Sequence, residues 1–330
     1  MGLDRNDMPI MIAGIDEAGY GPLLGPLIIS AVAFELPGSL TDEMPDIAAM
    51  LAPAVALRPP LPHAALMIAD SKLVHRLQNG LVHLELACIL AAEQGCGSDT
   101  PTTLEQLARS LGWQANCPLP WYNWKEAPVP RWADEGTLGI TRSMVTGRMA
   151  ARKIQLSMAR TAIIDEQQFN QLTAKTNNKA AVLSTHGMML LRELVDRYGQ
   201  GDAWIVVDKN GARDRYLDML MRTFPEAMWR VYQESPLLSR YQWARPEGVI
   251  RIDFQQKGEQ ACLATAWASM ICKYIRERAM EQFNIWWQSE TGSGVKPTAG
   301  YYSDAQRWLS EMAPYLERCG PPTEQWVRTR

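Results

Sequence analysis

The stretch Gly14-Ile15-Asp16-Glu17-Ala18-Gly19-Tyr20-Gly21-Pro22-Leu23-Leu24-Gly25-Pro26 joins two apolar runs, residues 8–14 and residues 27–36. Both runs read as strands. The glycines and prolines between them force a tight turn, so the two strands are expected side by side in one sheet. Two adjacent carboxylates, Asp16 and Glu17, stand where the first run ends. Acids at the end of a buried strand are costly to desolvate, and a divalent cation is their usual partner. Successive strand residues face opposite ways. Asp16 and Glu17 therefore share one cation if Glu17 lies past the strand end, or if one of them binds through its backbone carbonyl.

Outward from this stretch the same pattern recurs. Residues 202–208 form a second apolar strand ending in an acid, Asp208, after which Lys209-Asn210-Gly211 turns the chain and residues 215–224 return as a helix. Lys257-Gly258-Glu259 opens a long helix over about 260–286, and its small residues Ala261, Ala264, Ala266, Ala268 and Ser269 suit close packing on a sheet. In open α/β sheets ligands gather at the carboxyl ends of strands. Asp16, Glu17, Asp208 and Glu259 are expected to meet there, and an all-oxygen set of this kind suits Mg²⁺ or Mn²⁺. Each acid alone reads as a turn or cap residue. The joint pattern is what points to a metal.

Between these landmarks, residues 37–62 read as a proline- and alanine-rich loop with a short helix over 46–56. An apolar run at 64–69 ends at Asp70-Ser71-Lys72, where Asp70 or Ser71 caps a helix. Residues 80–92 fit helix or strand, 104–111 a helix, and 179–198 a long helix. Residues 144–164 read as a long helix, or as a strand followed by a helix. The tryptophan- and proline-dense segment 113–132 reads as a loop packed by its own side chains rather than as a platform for stacking bases. Residues 229–233 and 248–254 are strand candidates. Residues 297–302 form a loop before a helix over 303–312 capped by Ser303.

A chain of 330 residues, 47% hydrophobic and 21% charged, can bury a large core. Its net charge of −3 excludes a global basic footprint, so contact with nucleic acid needs a local patch. Candidates are Arg142, Arg148, Arg152 and Lys153, which read as a solvated helix face, and Lys273, Arg276 and Arg278. The six cysteines have no Cys-x-x-Cys spacing and the four histidines are scattered, which argues against a zinc site and a disulfide scaffold. No signal peptide is visible, and the apolar run 22–34 is broken by Gly25 and Pro26. A soluble cytoplasmic protein is expected, with no membrane association and no obligate protein partner.

The opening stretch resembles the signature of type 2 ribonuclease H (ribonuclease HII). Asp70-Ser71-Lys72, the strand ending at Asp208, Lys257-Gly258-Glu259 with Ala268-Ser269-Met270-Ile271-Cys272-Lys273 and Arg276-Glu277-Arg278, and Gly300-Tyr301 resemble that family's later blocks, in order. The resemblance covers residues 9–72 and 204 to about 308. It implies an α/β RNase H-like fold with a mixed central β-sheet flanked by helices and a helical C-terminal region. It also implies divalent-metal-dependent cutting of RNA in RNA–DNA hybrids, or at ribonucleotides embedded in duplex DNA, in the context of DNA repair. The products would be 3′-hydroxyl and 5′-phosphate ends. It assigns catalysis and metal binding to Asp16, Glu17, Asp208 and Glu259. Reading of the ribose 2′-hydroxyl falls to Gly19, Tyr20 and Gly21 together with Tyr301, and phosphate contact to Lys72, Ser269 and Lys273.

Two positions depart from the family pattern. Tyr20 replaces the arginine of the usual Gly-Arg-Gly turn, which removes a guanidinium but leaves the backbone groups. Glu259 replaces the usual fourth aspartate and keeps its charge on a longer arm. A binding protein for hybrids or junctions that keeps the fold, or another two-metal structure-selective nuclease, would share these features. One RNase H-like domain is expected over 1–330, with a divergent insertion at about 73–203. A helical part at about 260–330 is expected to cover the substrate.

Overall fold

The computed structural model describes residues 8–198, 201–209, 213–292 and 294–329. The Asn210-Gly211 part of the expected turn lies outside them.

The chain opens with β1 (Pro9–Ala18) and β2 (Leu27–Pro37), which pair antiparallel as expected. Helix α1 (Ile47–Leu51) is capped by Asp46, and β3 (Val55–Ala56) and β4 (Leu66–Met67) form a small parallel pair. Asp70 caps α2 (Ser71–His75), accepting from the Lys72 amide at 2.9 Å. The ambiguous 80–92 segment is helical, within α3 (Gly80–Cys96), and α4 (Leu104–Ser110) follows.

Residues 144–164 are neither one helix nor a strand followed by a helix. The order is the reverse: α5 (Glu135–Ala151), then β5 (Gln155–Ile164). Lys153, at φ 54°, breaks the helix between them. Next come α6 (Glu166–Thr176), α7 (Lys179–Arg197), β6 (Ala203–Asp208) and α8 (Leu217–Thr223). Strands β7 (Trp229–Glu234), β8 (Leu238–Arg245) and β9 (Gly248–Gln255) form an antiparallel meander. The chain closes with α9 (Gly258–Ala261), α10 (Leu263–Thr291), α11 (Tyr302–Leu316) and α12 (Thr323–Trp326). Ser303 is not a cap: Tyr301 holds the N-cap position of α11 and makes no side-chain cap bond.

The seven strands of the main sheet run in the order β5-β2-β1-β6-β9-β8-β7. Strands β1, β6 and β9 are parallel at its centre, with antiparallel neighbours on either side. This is the mixed sheet flanked by helices that was expected. Alternation along the strands separates two cores. Ile10, Ile12, Trp204 and Val206 face α10, while Met11, Ala13, Ile15, Ile205 and Val207 face α7. Helix α10 packs so closely on β1 that a Cβ at Gly14 would sit 2.0 Å from the Thr265 amide nitrogen. No side chain larger than hydrogen fits there.

The segment at about 73–203, expected as an insertion, adds to the main sheet. It contributes the edge strand β5, and α3 and α7 pack on the two faces. The 113–132 loop packs by its own side chains, with Trp124 and Trp121 buried against the body. Trp121 meets Phe283, Trp287 and Trp326, tying the loop to the C-terminal helices. Helix α10 is a core element along much of its length, because its faces carry buried Trp267, Tyr274 and Phe283. Among the described residues no helix is long and apolar enough to cross a membrane.

Candidate metal centre

Parallel pairing of β1 with β6 sets Ile15 opposite Val207, so the next residues, Asp16 and Asp208, stand together at the carboxyl edge of the sheet. Glu17 is still within β1, paired with Ile29 of β2. Neither arrangement expected for the acidic pair is needed. One carboxylate oxygen from each of Asp16, Glu17 and Asp208 lies within 4.8 Å of the others. Asp16 and Asp208 share the parity of the α10 face. Glu17 starts from the other face, and its longer side chain brings the carboxylate round the sheet edge to join them.

The neighbours of this cluster work against its charge. Asp16 is 8% exposed, and burial holds its carboxyl well above the usual carboxylate range, with the charges of Glu17 and Asp208 adding to the effect. Burial pushes Asp208 up to about 7, and Glu17 and Glu259 add to it. The Gly258 N–H, donating to Asp208 at 2.9 Å, pulls the other way. The three acids also border an apolar cavity of about 360 Å³ on the α7 side. Three crowded, desolvated carboxylates make an all-oxygen donor set that fits a hard divalent cation.

On the α10 side the acids open into a polar cleft of about 380 Å³. Every residue expected at the site borders it. Glu259, half-buried on α9, lines the cleft but does not join the cluster of three, because its one-turn helix begins beyond the end of β6. Ser269 faces Asp16 and shares a 3.0 Å hydrogen bond with Ser71. Lys72 is exposed at the cleft wall, and Lys273 is paired with Glu277 one turn along α10. Tyr301 is half exposed, its ring centroid 5.8 Å from the Arg276 guanidinium carbon.

The 19–21 turn is set by Gly19, at φ 89°, where a Cβ would meet the Pro26 carbonyl oxygen at 2.4 Å. Gly21 is exposed, and a Cβ there would meet nothing within 4 Å. The Tyr20 ring lies 4.8 Å from the Lys179 ammonium.

Two of the expected basic-patch residues belong to the interior. Arg276 is 2% exposed and donates to the Pro26 and Leu24 carbonyls at 2.7 and 3.0 Å. Arg278 is fully buried beside Glu85 and Tyr274. In the group expected as a solvated face, Arg142 pairs with Glu93 at 2.6 Å and Arg148 donates to the Met50 carbonyl. Helical spacing from Ser269 through Cys272 to Arg276 and Met280 marks a buried face and could have placed Arg276. The sequence reading also missed Lys209. Lys209 follows Asp208 in the chain, and its buried ammonium donates to Asp214 at 2.8 Å and to Ser239 at 3.2 Å.

No family profile matches the chain, and no curated protein matches it. Among solved structures it is similar to a chain of the PCNA:RNase HII complex from Archaeoglobus fulgidus, at 17% identity and TM-score 0.46 over 97% of this chain and 92% of that one. It is similar to ribonuclease H2 from Pyrococcus horikoshii OT3 at 14% identity and TM-score 0.42, over 96% and 92%. It is also similar to Bst-RNase HIII in complex with Mn²⁺ at 11% identity and TM-score 0.40, over 93% and 62%.

Proposed function

We propose that this protein is a divalent-metal-dependent endonuclease of the ribonuclease H type. Its substrate would be RNA in RNA–DNA hybrids or ribonucleotides embedded in duplex DNA, cut to leave 3′-hydroxyl and 5′-phosphate ends. The observation that carries this reading is the convergence of Asp16, Glu17 and Asp208 within 4.8 Å at the floor of a cleft walled by lysines. An acidic cluster repels a phosphodiester unless a cation lies between them.

Asp16, Glu17 and Asp208 would hold Mg²⁺ or Mn²⁺, and Glu259 would add negative charge at the rim. When bound, one or two such ions supply an activated water and stabilise charge at the scissile phosphate. Lys72 and Lys273 offset the charge of the flanking phosphates. The open backbone at Gly21, with Gly19 and Tyr20, would meet a ribose 2′-hydroxyl, and Tyr301 would pack on the neighbouring sugar. Ser269 orients the Asp16 carboxylate.

The test is a cleavage panel in Mg²⁺ and in Mn²⁺. It compares a duplex with one embedded ribonucleotide, an RNA–DNA hybrid and an all-DNA duplex, with Asp16→Asn as the control. Metal-dependent cutting of either ribonucleotide substrate, lost in the variant, is expected. Equal cutting of all-DNA duplex would instead identify a structure-selective nuclease, and tight binding without cutting a binding protein.

A further inference from the structure

We propose that Arg328 is a positioning residue for substrate recognition, holding the 19–21 turn in the shape that presents its backbone to a ribonucleotide-containing duplex. The inference rests on the nuclease reading above. Arg328 is only 2% exposed and does not border the cleft. Its Nη1 donates to the Gly19 carbonyl and, at 3.4 Å, to that of Gly25, while Nη2 donates to the Tyr20 carbonyl at 3.2 Å. Its own amide donates to the Leu23 carbonyl at 2.9 Å, and its guanidinium carbon lies 3.7 Å from the centroid of the Phe169 ring.

One residue, more than 300 positions along the chain from the turn, thus ties down the carbonyls of residues 19, 20, 23 and 25. With those carbonyls drawn inward by Arg328, Gly21 is left facing open space. The arrangement is costly for stability alone. A buried guanidinium needs strong compensation, yet its hydrogen bonds go to neutral carbonyls, Nε has no partner among the described residues, and the nearby Glu166 carboxyl, itself pushed towards its neutral form by burial, offsets only part of the cost. Burial accordingly drags the guanidinium down to about 9. Expensive burial beside a functional turn is where fold economy gives way to function.

The segment carrying Arg328 is held separately. Asn170 donates to the Val327 carbonyl at 2.9 Å and accepts from the Thr329 amide at 2.9 Å, without touching the turn. Three variants therefore test the proposal: Arg328→Met, Arg328→Lys and Asn170→Ala. Affinity for a one-ribonucleotide duplex and for its all-DNA counterpart is measured by fluorescence anisotropy in Ca²⁺, with KM and kcat in Mg²⁺, Mn²⁺ affinity, and folding by circular dichroism.

Wild type should favour the ribonucleotide duplex. Arg328→Met should cut that preference at least fivefold and raise KM, with kcat within threefold and Mn²⁺ affinity within twofold. Arg328→Lys should recover part of the preference, and Asn170→Ala should shift it in the same direction by less. A folded Arg328→Met or Arg328→Lys protein that keeps the full preference overturns the proposal. So does a loss of Mn²⁺ affinity in step with cleavage, which would place the effect at the acids. If Arg328→Met fails to fold, the other two variants decide. A wild type that binds with an Arg328-dependent ribose preference but never cuts sinks the nuclease reading and leaves this proposal standing. One that cuts ribonucleotide substrates without ribose preference in binding does the reverse.

Discussion

Asp16 stands beside Asp208 because β1 and β6 run parallel in a register that sets Ile15 opposite Val207. The backbone ladder thus forces two like charges together in a desolvated place. Neutralising one should relieve the folded protein while abolishing its chemistry. For Asp208, pushed up to about 7 from an ordinary 3.8, the ionised form at pH 8 costs on the order of 2 kcal/mol after allowance for partial exposure. We expect Asp208→Asn to lower cleavage at least ~100-fold and, in EDTA at pH 8, to raise the melting temperature by roughly 2–4 °C. Residual cleavage near the wild-type rate would remove Asp208 from the metal centre.

The same crowding would make cation binding at this cluster a proton exchange. Asp16 and Asp208 both hold protons above the usual carboxylate range, so a cation entering near pH 6 must displace them. Titration calorimetry with Mn²⁺ at pH 6, in buffers of different ionisation enthalpy, should report release of roughly one to two protons per protein. Affinity should rise from pH 6 to pH 8 and then level off. Binding that is indifferent to pH over this window would mean the three acids do not ligate the ion together.

Much of this candidate centre was legible in the sequence, because Asp16 and Asp208 each close a long apolar run. The runs ending at Asp16 and Asp208 have a burial pattern of near-continuous apolar residues, as central parallel strands do. The sheet's flanks were harder. Strand β8 reads Leu-Ser-Arg-Tyr-Gln-Trp-Ala-Arg, and only Ser239 and Tyr241 of it are buried, so its pairing with β9 leaves little hydrophobic signal. Strand β5 follows a helix after only three residues, and its apolar content blends into that helix's pattern. Arg276 and Arg278 looked like surface charge because their compensation is a set of distant backbone carbonyls and a buried Glu85. The bracing of the 19–21 turn by Arg328 had no local signal at all.

Gly14 shows that the motif serves packing, beside the role proposed for its acids. A Cβ at this position would lie 2.0 Å from Thr265 N and 2.5 Å from the Ala264 carbonyl carbon, both backbone atoms that cannot swing away. Gly14→Ala must therefore push α10 off β1, carrying Ser269 and Lys273 away from the acids. We expect a loss of about 3 kcal/mol in urea unfolding, at the upper end for overpacking. Cleavage should fall even under conditions where the variant is folded. A variant as stable as wild type would show that α10 does not sit against the strand as described.

Glu166 offers a test of the braced turn that does not involve the acidic cluster. Its carboxyl is fully buried, accepts from the Gly25 amide at 3.1 Å and from the Tyr122 hydroxyl at 2.9 Å, and is pushed by burial from an ordinary 4.5 up to about 7. The folded protein thus holds this proton more tightly than the unfolded chain does. The stability it contributes is complete below about pH 4.5 and is lost as pH rises through about 7. Glu166→Gln keeps an acceptor for Gly25 and removes the titration. Relative to that variant, wild type should lose about 3 kcal/mol of unfolding free energy between pH 4.5 and pH 8, with the change centred between pH 5 and 7. The measurement is urea unfolding of both proteins at half-unit steps. Because Arg328 lies close enough to favour the ionised carboxylate, Arg328→Met should raise the Glu166 midpoint and move the wild-type loss to higher pH. Parallel stability curves for wild type and Glu166→Gln would show that the carboxyl is solvated in solution and that the turn is not sealed from beneath.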